Sequence, residues 1–420
     1  MKILQINTSA NTAAPGQIAE NIGRILIKNN HECFIAYGRR NSFSKLNPIR
    51  IGNSLSLILH GLLTRIFDRH GYGSFFPTKR LILKIKDINP DLIHLHNLHG
   101  YYLNIRVLFK YLKKSQIPVL WTLHDCWPFT GHCSHYDYVG CYRWKSKCHS
   151  CPNKKAYPAS WLFDYSTHNY FAKKELFTGL HSLRIVTPSE WLANQVKESF
   201  LKNYPVQVLP NGINLANFKP MNENYAIKAR YGFTGKKIIL GVASFWGRHK
   251  GFDDFIRLST LIPEDVAILL IGLSKNQQKG LPANIVGLSR TKNLDELSAF
   301  YSIAEVFVNP TYVDTFPTTN LEALACGTPV ITFDTGGSPE VCDKTCGSIV
   351  ACEDINTLYD EIIRICKTKP FSENSCLKRA HYFDKNDKFN EYINLYRKIA
   401  GDESVKLREV EKCPSLQTKP

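Results

Sequence analysis

Short apolar runs alternate with amphipathic stretches from the first residues of the chain. Ile3, Leu4 and Ile6 predict a buried strand over 2–7, and polar and small residues fill a loop at 8–16. Ile18, Ile22, Ile25 and Leu26 then recur at helical spacing, which predicts a helix over about 17–30. Further strands are predicted at 32–37, 92–96, 119–122, 184–187 and 207–209. The same rhythm restarts after Gly235, with strands at 237–242, 267–271, 285–286, 306–309 and 330–332. Strands that alternate with helical stretches imply parallel sheets with crossover helices. The fold class is therefore α/β, with two doubly wound, Rossmann-like halves.

The turn-rich stretch Leu209-Pro210-Asn211-Gly212 marks the joint. It gives an N-terminal half over 1–209 and a C-terminal half over 210–400, while 404–420 is expected to be a disordered tail. Ligands of such sheets bind beyond the carboxyl ends of the strands, so two facing halves would bind between them. No run of about 18 or more uncharged apolar residues predicts a membrane span. The N-terminus enters its first strand at once, without the apolar stretch and cleavage site of a secretory signal, so a cytoplasmic location is expected.

Charge adds a direction to this picture. Residues 1–200 hold 26 Lys and Arg against 11 Asp and Glu, so +15 of the net +17 lies there. That half should meet something anionic, whether nucleic acid, a phospholipid surface or a phosphorylated substrate, or else carry a merely solvated basic surface. No RNA-binding signature or basic recognition helix is present, which argues against nucleic acid. The apolar segment 54–67, with Arg65, Arg69, Lys79 and Arg80 in or behind it, suits an anionic leaflet; a core or acceptor-lining helix explains it equally well.

Thirteen cysteines, an odd number and mostly scattered singly, fit a reduced compartment. The exception is Cys133-x7-Cys141-x6-Cys148-x2-Cys151, inside a Cys-rich insert at about 126–151. Four thiolates could close a structural zinc site. Free or redox-active thiols and disulfides are the open alternatives.

The candidate chemistry concentrates at 309–330. A strand ends at Asn309-Pro310, a loop carries Asp314, a helix starts near Thr318, and Gly327 precedes the next strand. The start of that helix exposes backbone N–H groups that can hold a diphosphate. Thr319-x-x-Glu322 also reads as a capping box, in which Glu322 would only satisfy the helix start. A second element, Gly247-Arg248-His249-Lys250-Gly251, brings Arg248 and Lys250, cations able to neutralise charge on a departing diphosphate.

Asp314, seven intervening residues, then Glu322, Ala323, Gly327, Pro329 and Val330 together resemble the signature of the family 4 glycosyltransferases of the GT-B fold. The resemblance covers about residues 1–400. It implies two Rossmann-like domains facing across a cleft, a last helix that can pack back on the first domain, and retaining transfer without a catalytic metal or other cofactor. The donor would be a nucleoside diphosphate sugar, and the acceptor a glycan or lipid-linked hydroxyl in surface-polysaccharide synthesis. Glu322 would hold the ribose, Phe316, Pro317, Thr318, Thr319 and Asn320 would meet phosphates and sugar, and Asp314 would contact sugar hydroxyls. The family's usual first acid is Glu, so the shorter Asp314 bears on the sugar's identity. Many relatives carry an Arg where Ser244 stands here, so Arg248 is expected to supply that charge beside Lys250. Gly16 would allow close backbone approach to the donor, and His124 would reach the transferred sugar. His96 and His99 are candidates to line the acceptor side. The resemblance also places Gly336-Gly337-Ser338-Pro339-Glu340 near the nucleotide. Rivals are an epimerase or phosphorylase of the same fold, and a basic nucleic-acid-binding protein with a zinc module.

Overall fold

A computed structural model describes residues 1–221 and 224–410. The first sheet holds β1 (Lys2–Asn7), β2 (Glu32–Tyr37), β3 (Pro48–Arg50), β4 (Leu92–Leu95), β5 (Val119–Thr122), β6 (Leu183–Thr187) and β7 (Val206–Val208), in the order β3-β2-β1-β4-β5-β6-β7. The second holds β8 (Lys237–Val242), β9 (Val266–Ile271), β10 (Ile285–Leu288), β11 (Val306–Asn309), β12 (Val330–Phe333) and β13 (Gly347–Val350), in the order β10-β9-β8-β11-β12-β13. Every pairing is parallel. Crossover helices cover both faces of such sheets, which is why central strands such as β9 (Val-Ala-Ile-Leu-Leu-Ile) are buried at every position. Strand order reverses between β1 and β4, and again between β8 and β11. Doubly wound sheets open their ligand crevices at such points.

Two strands escape the apolar pattern. β3 is three residues long, opens on Pro48 and lies at a sheet edge, where a missing N–H is tolerated. β13 forms the opposite kind of margin, with Ile349 half exposed. The first helix, Ala13–Lys28, begins four residues before its predicted start and buries Ile18, Ala19, Ile22 and Leu26.

The chain crosses between the domains twice. Ile213 N–H donates to Phe383 O (2.8 Å) and Lys385 N–H to Ile213 O (2.9 Å), so the two crossing segments are hydrogen-bonded to each other. After the second crossing the last helix, Lys385–Val410, lies on the first domain, packing Tyr392, Ile393, Tyr396 and Ile399 against Ile18, Ile22 and Leu26. The helix runs past the start of the tail expected at 404–420, and 411–420 lie outside the described residues.

The segment 54–67 folds as the helix Ser54–Phe67 with an inverted pattern. Its buried positions are His60, Gly61 and Thr64, while Leu55, Ile58, Leu59 and Leu62 are 42–62% exposed. Phe76 and Leu83 on the next helix, Phe75–Ile88, are also exposed. Between the segment 49–53 and the helix Phe75–Ile88 a groove opens, lined by Arg50, Asn53, Arg80, Lys84 and Asp87. Among the described residues no helix is long and apolar enough to cross a membrane.

Candidate active site

The donor side is built from loops at the carboxyl ends of β8, β11 and β12. Pro310 ends β11 and frees the chain to turn; the basic turn after β8 packs directly on it. Gly251 (φ +74°) permits that approach, since a Cβ there would lie 2.4 Å from Pro310 O. Tyr312 N–H donates to His249 O at 3.0 Å, tying the two loops together. Lys250 Nζ then reaches Asp314 Oδ2 at 2.7 Å, with Thr311 Oγ1 and Val313 O also in range. Asp314 Oδ1 accepts from Phe316 N–H at 3.1 Å. Behind this loop Gly336 (φ +57°) leaves no room for a side chain, because a Cβ would meet Asp314 O at 2.1 Å. The pair of expected catalytic charges is therefore one hydrogen-bonded unit, each side chain about a quarter exposed. Arg248 and Ser244 are exposed beside it, and Arg248 makes no ion pair among the described residues.

The helix Thr318–Ala325 starts after Pro317 without a side-chain cap. The capping-box reading of Thr319 and Glu322 does not hold. Glu322 Oε2 instead accepts the Tyr301 hydroxyl at 2.9 Å. Burial pushes the Glu322 carboxyl up to about 7, against the pull of that hydrogen bond. Thr318 and Thr319 remain partly exposed at the helix start. Phe316 and Asn320 do not line the site through their side chains: Phe316 packs in the core against Phe383, and Asn320 is fully buried and accepts from Asn309 Nδ2 at 2.7 Å. Pro317 is buried as well. The loop's contact with phosphate is left to backbone N–H groups and to the two threonines.

Across the cleft, His124 follows β5. Its backbone carbonyl accepts from Thr315 Oγ1 at 3.0 Å, a direct link between the domains one residue from Asp314. Its Nε2 faces His96 Nδ1 at 3.1 Å, and burial lowers its pKa to about 4. His96 does not line the cleft. It is fully buried behind His124, with Nε2 on Gln5 Oε1 at 2.9 Å. His99 is buried too, held between Asp125 (2.6 Å) and the Tyr157 hydroxyl (3.0 Å). The Asp125 carboxyl is lowered to about 2, because the His99 ring outweighs the penalty of burial. Gly16 lies inside the first helix, and the close approach it permits is to the protein's own Ser9, whose Oγ would be 2.9 Å from a Cβ.

Sequence reasoning missed Gln5, Tyr301 and Thr315, ordinary strand, helix and loop residues in isolation. It also missed that Glu340 of the Gly336–Glu340 segment crosses the cleft. Its carboxylate accepts from the N–H groups of Glu190 (2.8 Å) and Trp191 (2.7 Å), capping the helix Glu190–Glu198 of the first domain.

Cys133, Cys141, Cys148 and Cys151 do gather around one small cavity in the insert, with Trp144 and His132. All four are free thiols. Among the described residues no group of three or more His, Cys, Asp or Glu is arranged to hold a metal ion.

The sequence matches the family described as Glycosyltransferase Family 4 over residues 16–217, and Glycosyl transferases group 1 over 236–368. It is 24% identical over 348 residues to the putative colanic acid biosynthesis glycosyl transferase WcaC of Escherichia coli, covering 80% of this chain and 83% of the relative. It is 28% identical over 144 residues to the alpha-galactosylglucosyldiacylglycerol synthase of Streptococcus pneumoniae, covering 31% of this chain and 38% of that protein. Among solved structures, sucrose-phosphate synthase from Thermosynechococcus elongatus superposes with a TM-score of 0.73 at 18% identity, over 96% of this chain and 99% of that one. Anabaena HepE in complex with UDP and glucose superposes with a TM-score of 0.67 at 13% identity, over 95% of this chain and all of that one. These likenesses carry the fold.

Proposed function

The chain belongs to the family 4 glycosyltransferases of the GT-B fold, and we propose that it moves a sugar, with retention, from a nucleoside diphosphate donor to a glycan or lipid-linked hydroxyl during surface-polysaccharide assembly. The observation that carries this reading is the Lys250–Asp314 pair at the ends of β8 and β11, whose next residue, Thr315, bonds to the His124 carbonyl of the other domain. Lys250 supplies positive charge where the departing diphosphate needs it, and the start of the helix Thr318–Ala325 adds N–H groups. The complex of the similarly folded HepE with UDP and glucose supports a nucleoside diphosphate sugar as donor. The acceptor hydroxyl attacks the anomeric carbon from the face the diphosphate leaves. The leaving phosphate takes the hydroxyl proton, and the protein contributes orientation and charge stabilisation.

The same reading puts the enzyme at the cytoplasmic face of a membrane. The exposed Leu55, Ile58, Leu59 and Leu62, flanked by Arg50, Arg80 and Lys84, support docking by an apolar ridge with a basic margin.

The test is incubation with UDP-glucose, UDP-galactose, UDP-N-acetylglucosamine and GDP-mannose, with and without membrane-extracted acceptor lipids. Release of nucleoside diphosphate that requires acceptor supports transfer. A change in the sugar with no diphosphate released would make the protein an epimerase and sink the proposal.

A further inference from the structure

We infer that Gln5 and His96 set the tautomer of His124, holding its proton on Nε2 and leaving Nδ1 bare, so that a sugar group meeting His124 meets an acceptor. The selected ligand group rests on the donor-site reading above; the tautomer does not.

The inference follows from donors and acceptors alone. The Ala19 carbonyl can only accept, and it lies 2.8 Å from the Gln5 amide nitrogen. Gln5 is buried, so this bond fixes its orientation and turns Oε1, another pure acceptor, toward His96 Nε2 at 2.9 Å. His96 must therefore carry its proton on Nε2. His96 is buried and lies with its ring centre 4.0 Å from that of His94, tilted by 39°, with no carboxylate bonded to it. It is neutral, which leaves Nδ1 bare. Across the 3.1 Å contact, His124 must then be the donor, through Nε2–H. The neighbouring carboxylate, Asp125, is already engaged by His99 and by Trp127 N–H (2.9 Å), and its pull on a second proton at His124 is outweighed by burial of the ring. A neutral ring with its proton on Nε2 has a bare Nδ1, and that atom has no partner among the described residues.

A bare imidazole nitrogen accepts hydrogen bonds and repels carboxylates and carbonyls. The sugar group that meets it must be a donor, a hydroxyl or an acetamido N–H, so a uronic acid or a deoxy position at that point should be disfavoured. His96 and Gln5 are positioning residues: they touch no substrate, and act by deciding which nitrogen of His124 is free.

Nitrogen NMR of the full-length, 15N-histidine-labelled protein tests this without any substrate, with the His124 signals assigned by their loss in His124→Gln. The expected result is a proton on Nε2 and a bare Nδ1. His96→Asn, whose amide oxygen can stand in for Nδ1, should keep that tautomer, while His96→Leu should give a mixture. Once a donor is known, His96→Leu should lower kcat about tenfold with little change in donor KM, and His96→Asn should recover most of it. A proton on Nδ1 in the wild-type protein, or an unchanged tautomer in His96→Leu, would overturn the inference. Absence of glycosyl transfer would instead count against the donor-site reading and leave the tautomer result standing.

Discussion

The Tyr301 hydroxyl donates to Glu322 Oε2 at 2.9 Å, and this bond is what holds the expected ribose-binding carboxylate in a partly buried position. The carboxyl titrates near 7, so ribose hydroxyls should find an acceptor above that pH and a protonated acid below it. Nucleoside diphosphate affinity is expected to rise from pH 6 to pH 8. Tyr301→Phe removes a bond that favours the ionised form, so the midpoint should move upward and affinity at pH 7 should fall about threefold to tenfold. Glu322→Ala should cost at least about tenfold in transfer. Titration calorimetry across the pH range checks the two affinity predictions, and an acceptor-dependent transfer assay checks the third. The sign for stability is opposite: the folded state holds a proton that the unfolded chain releases, so ligand-free stability should decline as pH rises from about 4.5 to 7 and then level off.

Lys250→Ala should reduce transfer at least about tenfold, roughly 1.4 kcal/mol in the transition state, while leaving the fold intact. The ion pair with Asp314 is partly exposed, and its contribution to stability is expected to be small. Asp314→Glu keeps the charge but lengthens the side chain beside the tightly packed Gly336, and is expected to change preference among donor sugars more than nucleotide affinity. Steady-state kinetics with several donors separate the two effects. Equal losses for every donor would remove the sugar-reading role of Asp314.

Membrane docking should have two components. Replacing Leu55, Ile58, Leu59 and Leu62 with Ser should abolish salt-resistant sedimentation with anionic vesicles. Arg80→Ala with Lys84→Ala should weaken the salt-sensitive part, since screening shortens from about 10 Å at 0.1 M to about 3 Å at 1 M salt. Wild-type protein that ignores vesicles of either charge would restrict the basic surface to a phosphorylated acceptor or to solubility.

Cys151 is held below the usual thiol range by a hydrogen bond from Cys133. It should be the first of the four insert cysteines modified by iodoacetamide at pH 7.5, as read by peptide mass mapping. A tetrathiolate zinc site would protect all four until a chelator is added, and would show about one zinc per chain by elemental analysis.

The centres of eleven strands could be read in advance because parallel strands buried on both faces are continuously apolar. β3 and β13 could not: Pro-Ile-Arg and Gly-Ser-Ile-Val at sheet edges carry too few consecutive apolar residues to stand out from loops. Asp314 and Glu322 stood out as a spaced pair, but nothing near Glu322 announces Tyr301, which lies 21 residues away and meets it only after helices pack. Phe316 and Asn320 illustrate the limit of local reading: a loop that borders a ligand also turns side chains into its own core, and spacing does not say which. His96 was recognisable as polar at a strand end, yet its neighbours Gln5 and His124 are assembled by sheet register.

The returning helix Lys385–Val410 has a mechanical consequence. Because the chain crosses twice, at Ile213 and at Asp384, and the crossings are bonded to one another, the two domains are linked by a two-stranded ribbon rather than a single tether. A ribbon twists more readily than it stretches. The contact of Glu340 with the N–H groups of Glu190 and Trp191 lies beside this crossing, since Arg379, on the helix that leads into Asp384, donates to Glu340 O at 2.7 Å; rotation about the crossing therefore strains that contact least and the more distant parts of the cleft move most. Cutting the chain at 210 would not release two finished units, since the first would lose the Tyr392 and Tyr396 face that roofs its sheet.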